Sequence, residues 1–212
     1  NHLLLPKSIR GVIIGKSSCG KTTLLLNLLL RPGWLDYNNL SVFGKSPFQP
    51  EYQAIMRLFD LRDEVMRMHV SPSALVEQWA KEIRDKWDIE CNFYESAEDV
   101  PDPRDLSTEN KNLMIFDDLL LEKQNKCESY YIRGRHSNVD CFYLSQNYLK
   151  LPRQTIRENT NFICLFSQDL KNINRIYSDH ASQDMTKEEF RKLCKTAWGK
   201  THGFVVIDLD SK

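Results

Sequence analysis

The chain has no net charge, no paired-cysteine motif and no long apolar run. Its 29 Lys and Arg are matched by 29 Asp and Glu, which excludes a protein that holds nucleic acid by overall basicity. Six cysteines (Cys19, Cys91, Cys127, Cys141, Cys164, Cys194) are scattered, no two of them as CxxC, and no histidine lies at metal-ligand spacing. They are expected to be reduced, buried thiols of an intracellular protein. No stretch approaches the ~18 apolar residues of a membrane span. No signal peptide is read at the start, and no internal repeat or low-complexity tract occurs.

What is there suits a folded domain. Hydrophobic residues make up 41% and charged residues 27% of 212 residues, enough apolar content to bury a core and set disorder aside. The expectation is a single P-loop ATPase domain over residues 1–212. The charge is uneven. Residues 1–120 hold 14 Lys/Arg against 18 Asp/Glu, and residues 121–212 hold 15 against 11. A modestly basic second part is compatible with a polyanionic partner.

The run Val12-Ile13-Ile14 reads as a buried strand, residues 15–20 as a loop and 21–30 as a helix stopped by Arg31-Pro32-Gly33. Further strands are expected over 40–43, 113–116, 139–144, 162–166 and 203–209. Residues 50–68 carry one apolar helical face. Ser71-Pro72 opens a helix bearing Leu75, Val76, Trp79, Ala80, Ile83 and Trp87, expected in a core or interface. Helices are also expected over 122–131, 152–158 and 186–197, the last with a capping box from Thr186 to Glu189. The Pro-containing stretch 96–110 reads as a surface loop. Strands alternating with helices predict an α/β fold with a mostly parallel sheet and helices on both faces.

The strongest signal is Gly15-Lys16-Ser17-Ser18-Cys19-Gly20-Lys21-Thr22, which fits G-x-x-x-x-G-K-[ST] in full. Gly15 and Gly20 let the backbone curl so that its N–H groups face a phosphate chain. Lys21 brings a positive charge to the β- and γ-phosphates. The Thr22 hydroxyl is an oxygen ligand for Mg2+, and the helix over 21–30, which opens with Lys21, Thr22 and Thr23, points its N-terminus at the anion. ATP and Mg2+ are the expected ligands.

Leu113-Met114-Ile115-Phe116-Asp117-Asp118 looks like the partner Walker B strand. Asp117 is expected to hold the metal and Asp118 to polarise the attacking water; a strand ending in solvated acids is the plain alternative. Ser145-Gln146-Asn147 ends the next strand. In an additional-strand sheet of RecA-like type that strand lies between the P-loop and Walker B strands. Gln146 is then the candidate sensor of the γ-phosphate, with Asn147 behind it. Arg133-Gly134-Arg135-His136 precedes the same strand, and an arginine there could reach only a neighbouring subunit's nucleotide; a solvated basic turn is the alternative. Lys150, Arg153, Arg157, Lys171 and Arg175, with Tyr148 nearby, read as either a DNA-backbone contact or a charged helical surface. Cys19 sits within the P-loop, where a lowered thiol pKa would make it reactive toward alkylation.

The residues at 13–23, Ser41-Val42-Phe43 with Gln49-Pro50, then 113–118, 133–136, 143–146 and 151–161 follow an order seen in one group. In that order the chain resembles the poxvirus-type genome-packaging ATPases of the FtsK–HerA superfamily, which also occur in large DNA viruses, virophages and Maverick/Polinton-type elements. The resemblance implies a RecA-like core and a homo-oligomeric ring, pentamer or hexamer. It implies ATP-driven movement of double-stranded DNA into a capsid, with a capsid or portal-like vertex protein as partner. The expected location is the host cytoplasm or nucleus at sites of virion assembly, or the virion itself. By position it makes Asp118 the base, where the wider superfamily commonly has Glu, Gln146 the sensor and Arg135 an arginine finger. Two other readings stay open: a P-loop nucleoside or small-molecule kinase, and a non-hydrolysing nucleotide-dependent assembly module.

Overall fold

The computed structural model describes residues 1–31, 33–44, 53, 89–119 and 123–210. Pro32, Gln49-Pro50, the apolar face over 50–68 (residue 53 apart) and the helix from Ser71 to Trp87 lie outside them. Seven strands form one sheet: β1 (Arg10–Ile14), β2 (Asn39–Gly44), β3 (Glu90–Tyr94), β4 (Asn112–Asp117), β5 (Val139–Ser145), β6 (Phe162–Phe166) and β7 (Phe204–Asp208). Their order is β3-β2-β4-β5-β1-β6-β7. All pairs are parallel except β6 with β7. β5 therefore intervenes between β1 and β4, the additional-strand arrangement.

Among the described residues the α-helices are α1 (Lys21–Leu30), α2 (Asn125–Arg133), α3 (Leu170–Ile176) and α4 (Lys187–Trp198). Alternation along β1 sends Ile13 to one face and Val12 and Ile14 to the other. On the first face Ile13 joins Leu25, Leu28 and Leu29 of α1. On the second, Val12 and Ile14 join Tyr130 and Tyr131 of α2, Ile173 and Ile176 of α3, and Phe190 and Cys194 of α4. Helices thus cover both faces, which removes the continuous apolar strands from water. This is an α/β P-loop NTPase fold.

Local chemistry explains several boundaries. Thr186 Oγ1 accepts from the Glu189 N–H, and the Glu189 carboxylate accepts from the Thr186 N–H at 2.8 Å, closing the capping box of α4. At the foot of β5 the buried Asp140 carboxylate accepts from the Ile9 N–H and the Asn1 amide, both at 2.8 Å, and meets the Lys111 ammonium at 3.1 Å. That pins the chain entering β1 to β5. Four cysteines are buried and Cys19 and Cys91 half-buried, all as thiols.

The structure departs from the sequence expectations in three places. β3 is a strand that was not expected, because Glu90-Cys91-Asn92-Phe93-Tyr94 is half-exposed at the sheet edge and lacks clean alternation. α3 was not expected either. It is short and capped by Asp169, whose side chain accepts from the Asn172 N–H, and a π turn (Tyr177–Ala181) follows it. The segment after Pro152 is a single π turn, Arg153–Arg157, not an α-helix.

Candidate nucleotide site

Three strand ends converge at one edge of the sheet. The Gly15 N–H donates to the Ser145 carbonyl at 3.0 Å, tying the P-loop to the end of β5. The Asp118 N–H donates to the Leu144 carbonyl at 3.1 Å, tying the end of β4 to the same strand. Gln146 is therefore held between Gly15 and Asp118, as the additional-strand order requires.

The loop wraps tightly. Ser18 (φ 59°) and Gly20 (φ 107°) adopt left-handed conformations, which turn successive N–H groups to one side. A methyl on Gly15 would fall 2.3 Å from Cys19 Sγ and 2.8 Å from Phe166 Cβ, so only glycine fits between the loop and β6. α1 begins at Lys21 with no side-chain cap, leaving its first N–H groups for an outside acceptor. The Lys21 ammonium donates to the carbonyls of Gly15 at 2.7 Å and Lys16 at 3.0 Å. It is folded over the loop's own concavity, where a phosphate chain would compete for it. Lys16, Ser17, Ser18 and Thr23 are exposed, and Thr22 is half-buried on the first turn.

Cys19 differs from expectation. Its thiol is turned under the loop against Gly15 and Phe166, packed with the α1 side of the core, and it is not presented to the phosphates. Its carbonyl lies 3.0 Å from His202 Nδ1.

The two acids at the end of β4 project differently. Asp117 is buried and in register with Gly44 of β2, where an added Cβ would lie 3.5 Å from Asp117 Cβ. Asp118 is exposed and left-handed, φ 50°, a conformation that non-glycine residues adopt at some cost. That turn swings its side chain over the end of β5, where the Gln146 amide donates to Asp118 Oδ2 at 2.7 Å. Beneath them the buried Tyr143 hydroxyl donates to Gln124 Oε1 at 3.1 Å. Burial first, and the charges of Asp118 and Asp117 in addition, push the Tyr143 phenol far up, so it stays a donor. Gln124 in turn donates to the Leu119 carbonyl, fixing the chain that leaves Asp118.

Asn147 has a different task from the one expected: its Oδ1 accepts from the Leu149 N–H at 3.0 Å and caps the turn Tyr148–Lys150. On the other side of the loop, the Asn172 backbone and side-chain N–H groups hold the exposed Asp169 carboxyl below its usual value, and the Lys16 charge adds to this.

Arg135 is not brought to this edge. It lies exposed in the turn Gly134–Ser137 at the opposite end of β5, with its Nε 3.2 Å from His136 Nε2. Six steps of β5 at ~3.3 Å each put it about 20 Å from Gln146.

The expected basic stretch also divides. Arg157 is buried, stacked 5.2 Å over the Tyr148 ring and 3.4 Å from Asp179, while Arg175 reaches Asp179 at 3.0 Å. These two arginines close an internal network, so the DNA-contact reading fails for them. Arg153 pairs with Glu158 at the surface, and Lys150 and Lys171 are exposed.

The donor set of Thr22 and Asp117 fits a hard cation that keeps most of its waters and takes phosphate oxygens, as Mg2+ does. Among the described residues no group of three or more His, Cys, Asp or Glu gathers to hold a metal by itself. Among them, too, no helix is long and apolar enough to cross a membrane.

The fold is shared with a viral genome-packaging NTPase. The B204 NTPase from Sulfolobus turreted icosahedral virus 2, in complex with AMP, superposes with TM-score 0.57 at 13% identity, over 97% of this chain and 95% of that one. The B204 DNA-packaging ATPase from Sulfolobus turreted icosahedral virus gives 0.57 at 14%, over 97% and 94%. VirB4 of Thermoanaerobacter pseudethanolicus gives 0.52 at 11%, over 95% and 89%. Comparison with protein families finds no match, and neither does comparison with curated proteins. At these identities the likeness concerns the fold alone. It extends over nearly the whole of each chain.

Proposed function

We propose that the chain is an Mg2+-dependent ATPase of the FtsK–HerA type that moves double-stranded DNA into a viral or virus-like capsid as a ring of identical subunits. One observation carries the reading: Asp118 and Gln146, from two adjacent strands, meet at 2.7 Å beside the P-loop. A loop that only bound nucleotide would not need that pair. The fold shared with B204, a genome-packaging NTPase by its own description, supports the biological setting.

In this reading Lys21 leaves the Gly15 and Lys16 carbonyls for the β- and γ-phosphates, and the N–H groups of the loop and of the first turn of α1 line the phosphate chain. A bound Mg2+, held by Thr22 and Asp117, supplies charge neutralisation at the phosphates. Gln146 keeps one oxygen of Asp118 engaged. The other accepts a proton from the water that attacks the γ-phosphorus, as the bond to the β,γ-bridging oxygen breaks. Arg135, at the far end of β5, is presented to the nucleotide of the adjacent subunit and stabilises the charge of the transferring phosphoryl group. A capsid or vertex protein is the docking partner, and the site of action is the infected cell where virions assemble.

The test is phosphate release from ATP measured with and without double-stranded DNA, with the oligomer mass determined in parallel. Stimulation by DNA in a ring-sized assembly supports the motor. Turnover that needs a small phosphate acceptor would make the chain a kinase, and nucleotide binding without turnover would make it an assembly module.

A further inference from the structure

Opposite Asp118 and Gln146, the rim of the P-loop is completed by a turn 183 residues away from Cys19. α4 ends at Trp198, whose indole N–H donates to the Leu165 carbonyl of β6 at 3.0 Å. The chain then reverses through residues 199–203 into β7. A Cβ on Gly203 would fall 1.9 Å from the Ala197 carbonyl oxygen, so only glycine lets the turn close against the helix end. The Gly203 N–H donates to the Lys200 carbonyl at 2.9 Å. His202, left-handed at φ 57°, is thereby set against the loop. Its Nδ1 lies 3.0 Å from the Cys19 carbonyl, and its ring comes within 3.3 Å of where a Cβ on Gly20 would stand. A carbonyl oxygen only accepts, so Nδ1 carries the donor hydrogen. The ring is anchored by one edge, and the residue is otherwise exposed.

We infer that His202 is the nucleobase contact of the site, forming with the turn at 199–203 a subsite for the flat ring of a bound nucleotide. The inference rests on the P-loop reading above. Asp117, Asp118 and Gln146 stand on β4 and β5 and mark the terminal-phosphate end. In the sheet order both strands lie on one side of β1. A nucleotide laid across the loop leaves on the other side, over β6 and β7. From that side Phe166 touches the loop from beneath and is buried, whereas His202 sets an exposed aromatic ring against it. Phe204, two residues on and partly exposed, lies 5.2 Å from Phe166 ring to ring and adds an apolar surface at the same edge. A ring face beside an apolar surface suits a base, which stacks, better than a sugar or a phosphate.

Titration calorimetry of the full chain with ATP and with inorganic tripolyphosphate tests this. Asparagine tolerates the left-handed backbone, so His202→Asn removes the ring with little strain, and thermal melting checks that the variant is folded. The expected result is binding of both ligands by the wild type, with ATP tighter. In His202→Asn the ATP affinity falls about tenfold, the scale of one lost stacking contact, and tripolyphosphate affinity stays within about twofold. Equal loss for both ligands would reduce His202 to a brace for the loop and overturn the subsite. A wild type that binds tripolyphosphate as tightly as ATP overturns it too, leaves the P-loop reading standing, and needs no variant. A wild type that binds neither ligand overturns both readings.

Discussion

The Gln146 amide donates to Asp118 Oδ2 at 2.7 Å, joining the ends of two adjacent strands at the mouth of the P-loop. The contact depends on the left-handed turn at Asp118, which lifts the carboxylate off the sheet and over β5. Strain of this kind persists only where the surroundings enforce it, and the Tyr143–Gln124–Leu119 chain beneath does so.

In the proposed mechanism Gln146 holds the carboxylate that takes the proton of the attacking water, so the effects of the two side chains should not add. Gln146→Ala should lower turnover by about 10², the scale of a misplaced reacting group. In an Asp118→Ala background the same change should cost almost nothing. A double-mutant cycle on the hydrolysis rate measures this. Two fully independent losses would mean that the observed hydrogen bond plays no part in the chemistry.

Lys21→Ala removes the side-chain ammonium folded over the loop. Charge-assisted hydrogen bonds contribute roughly 1.5–3 kcal/mol, so ATP affinity should fall about 10- to 100-fold while the melting temperature holds. Nucleotide titration reads the first quantity and calorimetric melting the second. Wild-type affinity in the folded variant would remove the P-loop from the account.

Gly15→Ala should damage stability as well as binding. The new methyl meets Cys19 Sγ at 2.3 Å and Phe166 Cβ at 2.8 Å, an overpacking that typically costs about 1–3 kcal/mol. Urea unfolding should show a lower midpoint. The same geometry predicts slow alkylation of Cys19, little changed by nucleotide, since its thiol lies beneath the loop. Fast labelling blocked by ATP would contradict the placement.

The network around Tyr148 predicts a pH dependence. Burial lowers the His180 pKa from its ordinary value. The Arg157 charge lowers it further, and Asp179 partly opposes both. A folded-state pKa below the unfolded one means that the unfolded chain takes up the proton first. Stability is then unaffected at neutral pH and falls as pH drops below about 6.5. The Tyr148 hydroxyl donates to Asp179 Oδ2 at 2.9 Å and so accepts from His180 Nε2–H at 2.7 Å, which holds the ring in the buried network. Melting curves from pH 8 to 5 should steepen in loss below that point, and His180→Gln should flatten the acid limb. An unchanged limb would assign it to the other titrating groups.

Arg135 bears on the proposed ring. Arg135→Ala should bind ATP normally and hydrolyse it poorly. Mixed with Lys21→Ala under confirmed subunit exchange, it should regain activity at interfaces pairing an intact loop with an intact arginine. No recovery would return the residues Gly134–Ser137 to a solvated turn.

What could be read from the sequence was local. The P-loop declares itself because each residue's task is met within eight positions. The β4 acids do so because an apolar run must end where carboxylates can be hydrated. The place of Gln146 followed from strand order. Its contact with Asp118 did not, because it depends on a backbone turn that no composition encodes. Arg157 and Arg175 looked like a basic surface because their shared partner, Asp179, is contributed by an unexpected π turn. His202 gave no signal at all: it reaches Cys19 only after β7 pairs antiparallel with β6.

The most direct test of the assembled site is the rate of phosphate release from Mg·ATP by wild type and by Asp118→Asn, both saturated with nucleotide. The substitution keeps size and hydrogen bonding but removes the proton acceptor. The account predicts unchanged ATP affinity and a turnover lower by about 10²–10⁴, the contribution of a positioned base. Hydrolysis by Asp118→Asn at the wild-type rate would contradict it.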